Sequence, residues 1–310
     1  MSERSGWSDA WRRFSHHRLA LAGALVLALI VLVVALAGLS PYEPTATNLR
    51  ARFEAPSLAH PFGTDDLGRD TLTRVLYGGR ASLLVGLLAM LISVSLGTLV
   101  GAMAGYFRGW LDSLLMRVTD LFLSVPSLFV LIVLSTLLFD TGVGTAGGGL
   151  PMIVLIIGGM SWMVVARIVR SSFLAIRERS FVEAAHSAGA SHSRRIFLHI
   201  LPNAVGPILV QATLQVALAI IAESGLSYLG FGIQPPTSTW GNMLKDAQAS
   251  MTQHPHLAVF PGVMIFLTVI AVNAIGDGLR DAFDPHKVIG VATRRRRRPR
   301  PEDGANEVVS

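Results

Sequence analysis

Six long apolar runs, separated by shorter polar segments, dominate the pattern of this chain. A helix needs roughly 20 residues to cross a hydrocarbon core of about 30 Å, and the runs are close to that length or exceed it. They occupy residues 19–39, 81–106, 111–139, 150–175, 204–231 and 257–272, the last continuing toward Asp277. The pattern predicts an all-α integral membrane protein with six transmembrane helices.

The runs divide the chain into segments. In order they are a cytoplasmic N-terminal segment at 1–18, the first helix at 19–39, an extracytoplasmic segment at 40–80, a five-helix domain at 81–279 that contains a cytoplasmic loop at 176–203, and a tail at 280–310. The first run is longer than the apolar core of a secretory signal and has no small-x-small cleavage pattern after it, so we expect a retained anchor. Pro126 removes a backbone donor from the third run, where a kink is expected.

Composition also indicates a membrane protein. Hydrophobic residues make up 51% of the chain and charged residues 15%, which leaves too little polar surface to cover a soluble globule of this length. Basic residues accumulate on the cytoplasmic side of a membrane. With the N-terminus inside, cytoplasmic segments hold 20 of the 26 Lys and Arg residues. We therefore expect both termini in the cytoplasm.

The net charge of +6 does not indicate nucleic-acid binding. The basic excess is spread over the loops and the run from Arg294 to Arg300, without the interleaved aromatic residues of a nucleic-acid surface. The run is interpreted either as a disordered tail near anionic head groups, where each arginine contributes about 1 kcal/mol of attraction, or as a solvated tail.

The chain carries no motif for catalysis. It has no cysteine, which excludes disulfides and thiolate metal sites. Its only lysines, Lys245 and Lys287, do not follow a glycine-rich phosphate loop, and both HExxH and GxSxG are absent. We expect no enzyme activity, no cofactor and no metal site in this chain.

Charged residues within the apolar runs are few, and they mark function unless they are neutralised. Asp120 lies three residues after Arg117 on one helix face and is interpreted as its structural partner. Glu223 has Ser224 and Ser227 nearby, so it fits a hydrogen bond in helix packing as well as a group that lines a pore.

Two outer segments are expected to be ordered. Residues 40–80 are predicted to form a cap that packs through Phe62, Leu67 and Leu72. The rigid loop around Pro235 and Pro236 is predicted to present Trp240 as an aromatic anchor at the membrane surface.

The cytoplasmic loop is too long for a tight turn and too amphipathic for a linker. Its first part favours a helix through Ala184, Ala185 and Ala188, whose small side chains permit close approach of another surface, while Glu183 offers a carboxylate. Gly189 then allows the backbone to turn.

A second helical run starts at Ser191. It places Ile196, Phe197 and Ile200 as apolar anchors and is predicted to end at Leu201 and Pro202, where the next membrane helix begins. The two runs together fit a docking element, and they also fit an amphipathic helix that rests on the membrane.

The loop resembles that of the integral-membrane subunits of ATP-binding-cassette (ABC) importers, which carry Glu-Ala-Ala, three residues and then glycine. Here the motif is Glu183-Ala184-Ala185 followed by Gly189. Three further blocks resemble the C-type permease of the dipeptide, oligopeptide and nickel importers: HPFGTDDLGRDTLTRVLYGGRASL at 60–83, ESGLSYLGFGIQPPTSTWGNML at 223–244 and GDGLRDAFDP at 276–285. The resemblance covers roughly residues 15–288 and leaves out the Arg-rich tail.

The resemblance implies a type I ABC importer permease fold with a cytoplasmic coupling helix, in the bacterial cytoplasmic membrane. It implies a heterodimer with a homologous B-type permease, two ATPase subunits or one fused ATPase that bind ATP and Mg, and an extracytoplasmic substrate-binding protein. The residues expected to couple to the ATPase are Glu183, Ala184, Ala185, Ala188, Gly189, Ile196, Phe197, Leu201 and Pro202.

A permease also needs polar side chains on a path shared with its partner. We expect Glu223, Ser224, Asn273 and Asp277 to line that path. Dipeptides or longer peptides are the first expectation for the substrate, with glutathione or nickel chelates as alternatives, because selection rests largely with the external binding protein. A non-transporting membrane scaffold, whose loop recruits a soluble partner, is a second interpretation that needs no polar path.

Overall fold

The computed structural model describes residues 4–283, and these residues form helices and loops without a β-strand. The helices are α1 (Arg4–Phe14), α2 (Arg18–Ala35), α3 (Thr71–Phe107), α4 (Gly109–Leu123), α5 (Ser127–Leu138), α6 (Gly142–Thr145), α7 (Leu150–Arg177), α8 (Ser180–Ser187), α9 (His192–Arg194), α10 (Leu201–Leu229), α11 (Trp240–Ala247) and α12 (His256–Phe283). The predictions for the run from Arg294 to Arg300 lie outside the described residues.

Five helical stretches are long and apolar enough to cross a membrane. They are Arg18–Leu39, Thr71–Phe107, Gly142–Arg177, His192–Leu229 and His256–Phe283. The predicted third span is instead a pair of helices, α4 and α5, bent by 84°. Counted as one span, this bent pair completes the predicted set of six.

The bend lies at the predicted proline. The N–H of Ser124 still donates to the carbonyl of Asp120 at 3.0 Å, but Pro126 has no N–H with which to continue the ladder. A separate helix, α5, therefore begins at Ser127, and no side chain caps its first turn. The predicted kink is confirmed and is large enough to break the helix.

Helix α3 begins at Thr71, ten residues before the predicted start at residue 81. The Asp70 carboxylate accepts a hydrogen bond from the N–H of Thr73 at 2.7 Å, which is the geometry of a helix N-cap. The apolar run marked only the part of α3 that is hydrophobic, so the prediction missed its polar first turns.

A ridge of glycines brings α3 against α7. Methyl groups added at Gly97, Gly101 and Gly105 would collide with α7, for example at 2.8 Å from the Cβ of Val169. Small residues of this kind let two helix backbones approach closely within a membrane. On α7 the ridge meets Val169 and Phe173, neither of which is exposed.

The outer segment is tied to the helices by a buried ion-pair network. Asp65 accepts hydrogen bonds from Arg74 and, at 2.7 Å, from Arg69. Arg74 also donates to Asp246 of α11 at 2.9 Å. Asp65 and Arg74 are both about 5% exposed, so the network holds the outer segment, α3 and α11 together.

Two aromatic residues pack within this outer region. Phe62 stacks on Phe260 of α12 with ring centroids 3.8 Å apart, as the predicted cap requires. Trp240 is not at the membrane surface as predicted: it is fully buried, and its indole N–H donates to the carbonyl of Val75 at 2.9 Å. Because the carbonyl of Val75 accepts the indole N–H inside the fold, Trp240 does not need to lie at the membrane surface to find a hydrogen-bond partner.

Replacing Gly101 with alanine tests the glycine ridge. Alanine favours a helix more than glycine does, so any loss of stability must come from the collision with α7, and we expect a loss of about 1–3 kcal/mol. The measurement is thermal unfolding of the purified protein in detergent. Gly159→Ala is the control, because a methyl group there meets nothing within 4 Å. Equal unfolding temperatures for the two variants would contradict close packing at Gly101.

Asp65→Asn tests the outer network. Burial alone would raise the pKa of Asp65, but the charges of Arg74 and Arg69 and the backbone N–H groups of Arg69 and Leu67 outweigh burial and hold that pKa below its ordinary value. A depressed carboxyl pKa stabilises the fold above the unfolded-state pKa near 3.9, and this contribution is lost as pH falls through the folded-state pKa.

We therefore expect Asp65→Asn to cost about 1–3 kcal/mol at pH 7, since Arg74 and Arg69 lose their most buried partner and keep the more exposed Asp246. The difference from the wild type is expected to shrink only below about pH 4. Protease cleavage of the outer segment reports the change. Glu43→Gln is the control, because Glu43 is exposed. If the Asp65→Asn variant and the control resisted the protease equally at pH 7, a stabilising role of the network would be contradicted.

Candidate functional site

The loop at residues 176–203 contains the short helix α8, which follows the end of α7. Only Val182 of α8 is buried, against a cluster that includes Phe173 and Ile200. The predicted coupling residues Glu183, Ala184, Ala188 and Gly189 are exposed and Ala185 is half-buried. One apolar side chain thus anchors α8 and leaves the rest of its surface free to meet another protein.

Gly189 ends α8 in a left-handed conformation, with φ of +79°. The N–H of Gly189 donates to the carbonyl of His186 at 2.9 Å, and the N–H of Ala190 donates to that of Ala185 at 3.0 Å. This hydrogen-bond pair is the Schellman arrangement, which favours glycine at this position. A Cβ at Gly189 would touch nothing within 4 Å, so the backbone conformation alone requires glycine.

The second run departs from prediction in two ways. Ile200 is fully buried and Ile196 half-buried, but Phe197 is 69% exposed and does not anchor the run within this chain. The run also does not end at Leu201 and Pro202. The helix passes through them without interruption from His192 to Leu229.

A π-helical stretch allows this continuity. Residues Arg195–Ile200 form the stretch, and the N–H of Leu201 donates to the carbonyl of Ile196 five residues earlier. Pro202, which has no N–H to donate, directly follows the stretch as the second residue of α10.

Tyr106, at the C-terminal end of α3, joins the loop to the membrane helices. Its hydroxyl lies 2.8 Å from Nδ1 of His192, and its carbonyl accepts a hydrogen bond from Arg177 at 2.7 Å. The guanidinium groups of Arg177 and Arg195 lie 5.6 and 5.7 Å from the centre of its ring. Tyr106 is 4% exposed, so this junction is an internal part of the fold.

Sequence reasoning missed Tyr106. A tyrosine at the end of an apolar run is typical of the membrane interface, and nothing in its neighbours indicates contact with a loop almost 90 residues later. The junction borders an open cavity of about 380 Å³. Its lining residues are Tyr106, Arg177, Glu178, Val182, Glu183, His186 and Arg195.

Glu223 is enclosed by its own chain. Ser227 donates to one carboxylate oxygen at 2.7 Å and Ser82 of α3 donates to the other at 3.2 Å. Glu223 has no exposed surface, and no cation among the described residues pairs with it. In this structure the carboxylate joins α3 to α10, which fits the packing alternative.

The other predicted path residues lie apart. Ser224 is buried beside Glu223, Asn273 of α12 is half-buried, and Asp277 is exposed. None of the four lines the open cavity of about 620 Å³ at the bend between α4 and α5. Their place on a translocation path stays a prediction.

Asp120 does not pair with Arg117 as predicted. It accepts a hydrogen bond from Arg167 of α7 at 2.5 Å, and both side chains are about half exposed. Asp120 lies on the face of α4 that meets α7, and its partner is therefore on a neighbouring helix. Within the described part of the chain, no group of three or more His or acidic side chains could hold a metal ion.

Comparisons with known proteins agree with this architecture. A family model described as the binding-protein-dependent transport system inner membrane component matches residues 97–288. A second model, the N-terminal TM domain of oligopeptide transport permease C, matches residues 5–56.

Curated relatives match over nearly the whole length. The glutathione transport system permease protein GsiD of Escherichia coli O6:K15:H31 is 41% identical over 287 residues, which cover 91% of each chain. The protein of the same name from Pectobacterium atrosepticum is 39% identical over 286 residues, which cover 92% of each chain.

A solved structure, titled as an amino acid ABC transporter with histidines, has a TM-score of 0.50 at 17% identity and covers 72% of this chain and 94% of its own. It supports the fold alone. The family model covers more than half of the chain and the relatives cover almost all of it. The chain therefore belongs to the family of binding-protein-dependent transport system inner membrane components, the multi-pass permeases of ABC importers of the peptide and glutathione type.

Proposed function

We propose that this chain and a homologous B-type permease form the path by which di- and oligopeptides cross the bacterial cytoplasmic membrane. An extracytoplasmic binding protein delivers the substrate, and two ATPase subunits, or one fused ATPase, hydrolyse ATP with Mg. The observation that carries the proposal is the exposed helix α8, in a loop that Tyr106 joins to the end of α3 through His192.

A permease of this kind needs an external source of bias between its inward-open and outward-open states. A partner shifts such an equilibrium only by binding one state more tightly than the other. In this proposal the ATPase binds α8, and the contact between Tyr106 and the loop passes the displacement of α8 to α3.

The exposed residues Glu183, Ala184, Ala188 and Gly189 meet the ATPase, with Ala185 beside them. Ile196, Leu201 and Pro202 hold the second run to the membrane helices, and the exposed Phe197 adds an apolar contact to the partner surface.

The loop and both termini face the cytoplasm in this proposal. Support comes from the distribution of Lys and Arg along the sequence. The helices also expose apolar side chains such as Leu25, Leu99 and Phe129, each more than half exposed, which suit lipid or a second permease.

The substrate class is drawn from two sources. The model that matches residues 5–56 is named for oligopeptide transport, and the relatives are named for glutathione, itself a short peptide. Glutathione is therefore the second candidate, and a nickel chelate the third. Purifying the whole complex and identifying the molecule held by its binding protein by mass spectrometry decides among them. A scaffold without transport activity would yield no such ligand.

Gly189→Pro tests coupling through the loop. Proline cannot adopt a φ of +79° and lacks the N–H that bonds to His186, so the end of α8 must rearrange. We expect ATP-dependent peptide uptake to fall at least about tenfold while the chain still inserts into the membrane. Gly189→Asn is the matched control, since asparagine tolerates the left-handed region and is expected to keep most of the uptake. Normal uptake by Gly189→Pro would refute the docking role.

Glu183→Lys tests the carboxylate of the motif. If Glu183 meets a basic group of the ATPase, reversing its charge replaces attraction with repulsion, and retention of the ATPase on the purified permease is expected to fall about tenfold. Glu178→Lys makes the same change of charge five residues earlier, at a side chain that pairs with Arg108 of this chain, and serves as the control. If the ATPase co-purified equally well with the Glu183→Lys permease, the proposed pair between Glu183 and a basic group of the ATPase would be wrong.

A further inference from the structure

An apolar groove lies between α1, α10 and α12. It has a volume of about 270 Å³, it is open on one side, and every residue that lines it is apolar. The lining residues are Ala10, Trp11, Phe14, Leu209, Leu279, Ala282 and Phe283. An apolar surface of this kind is costly to leave in water, so the groove favours an apolar occupant.

The groove lies at one end of the membrane helices. One candidate span begins at Arg18, four residues after Phe14, and another ends at Phe283. Leu209 lies eight residues after the start of α10, about 12 Å along the helix, so the groove extends from the helix ends toward the hydrocarbon. It therefore opens where the apolar core of a membrane meets the head groups. In the orientation proposed above, this is the cytoplasmic surface.

Close packing holds the walls of the groove in place. A Cβ at Gly278 of α12 would lie 3.2 Å from the ring of Phe14, and a Cβ at Gly206 of α10 would lie 2.9 Å from the ring of Phe283. Each ring thus packs directly on the backbone of a neighbouring helix. Because both rings are fixed in this way, the groove is formed by the fold itself and does not need a ligand to create it.

Three arginines, Arg12, Arg13 and Arg18, lie beside the groove. Nη1 of Arg13 donates to the carbonyl of Ala282, a lining residue, at 3.3 Å. Arg12 lies between two lining residues of α1, and both Arg12 and Arg18 are exposed. None of the three pairs with a carboxylate among the side chains that the structure describes. The rim of the groove therefore carries positive charge that favours an anion.

The acidic residues at the end of α12 lie on its other side. At about 100° per residue, Asp277 and Asp281 are on the face opposite to Leu279 and Phe283. Asp281 also has a partner there, since its carboxylate lies 3.7 Å from Nε2 of His17. These two carboxylates therefore do not cancel the positive charge at the rim.

We propose that the groove binds an anionic phospholipid of the surrounding membrane. One acyl chain of the lipid lies in the groove, and its phosphate accepts charge-assisted hydrogen bonds from Arg12, Arg13 and Arg18. Trp11 is 70% exposed beside them, and tryptophan suits the level of the head groups. The site goes beyond the import function and does not depend on which substrate is carried.

The charge of the rim decides among the possible occupants. A zwitterionic lipid would fill the groove but gain less from the arginines, and an apolar helix of the second permease would leave them without a counter-ion. The chain's own tail, with the run from Arg294 to Arg300, carries the same sign of charge as the rim. An anionic lipid matches both the apolar walls and the basic rim.

Lipid retention tests the basic rim. The permease is purified with its partner subunits in detergent and mixed with phosphatidylglycerol or with phosphatidylcholine of the same acyl chains, and bound lipid is counted by native mass spectrometry. We expect the double variant Arg12→Gln, Arg18→Gln to retain about tenfold less phosphatidylglycerol than the wild type, with phosphatidylcholine unchanged. The double variant Arg50→Gln, Arg52→Gln is the control, because it removes two exposed arginines from the outer segment.

A second pair of variants tests the groove. Leu279→Trp places a large side chain where the acyl chain is proposed to lie, and we expect retention of phosphatidylglycerol to fall about tenfold with all arginines in place. Leu99→Trp is the control, since it adds the same side chain at an exposed position of α3 away from the groove.

Four results would overturn the proposal, and each leaves the import function standing. Equal retention of the two lipids by the wild type would show that the arginines do not select the ligand. Undiminished retention of phosphatidylglycerol by Leu279→Trp would show that the lipid binds elsewhere. Loss of the second permease from the Leu279→Trp complex would mean that a helix of the partner fills the groove. Tighter retention of phosphatidylglycerol by a chain that ends at residue 285 would mean that the tail fills it.

Discussion

The close contact between α3 and α7 is the interaction on which the rest of the structure depends. Lipid chains are as apolar as leucine, so helices in a membrane gain little from the hydrophobic effect and rely on close packing. Gly97, Gly101 and Gly105 supply that packing by removing every Cβ along one ridge. Helix α4 joins the pair through the two parallel hydrogen bonds between Asp112 and Arg170, at 2.5 and 2.6 Å.

Helix α3 also connects the two faces of the protein. It has 37 residues, which gives a length of about 55 Å. Near its N-terminal end Arg74 binds Asp65 and Asp246, and near its C-terminal end Tyr106 holds the loop that carries α8. A displacement of the loop therefore has a direct mechanical route to the outer cap.

The sequence predicts the spans better than it predicts the contacts between them. Apolar length marks each membrane helix, and proline marks the bend, because both effects are local. The partners of Asp120 and Tyr106 lie on other helices and depend on how the bundle closes, so no spacing rule reveals them. Trp240 and Phe197 were misjudged for a related reason: one finds a carbonyl of α3 inside the fold, and the other is left on the surface. Within the site, the motif from Glu183 to Gly189 predicts the exposed helix and its turn, but not the junction that attaches it.

The central claim is that the loop and α3 move as one body when the ATPase changes state. A chain without cysteine allows two spin labels to be placed cleanly, one at Ser193, which is exposed in the loop and lies outside the proposed ATPase contact, and one at Leu99, which is exposed on α3. Their distance is measured by double electron–electron resonance in the complete complex, without nucleotide and with ATP trapped. The account predicts that the distance stays within about 2 Å between the two states. A shift of one helical turn, about 5 Å, would mean that the loop moves independently of α3 and would contradict the account.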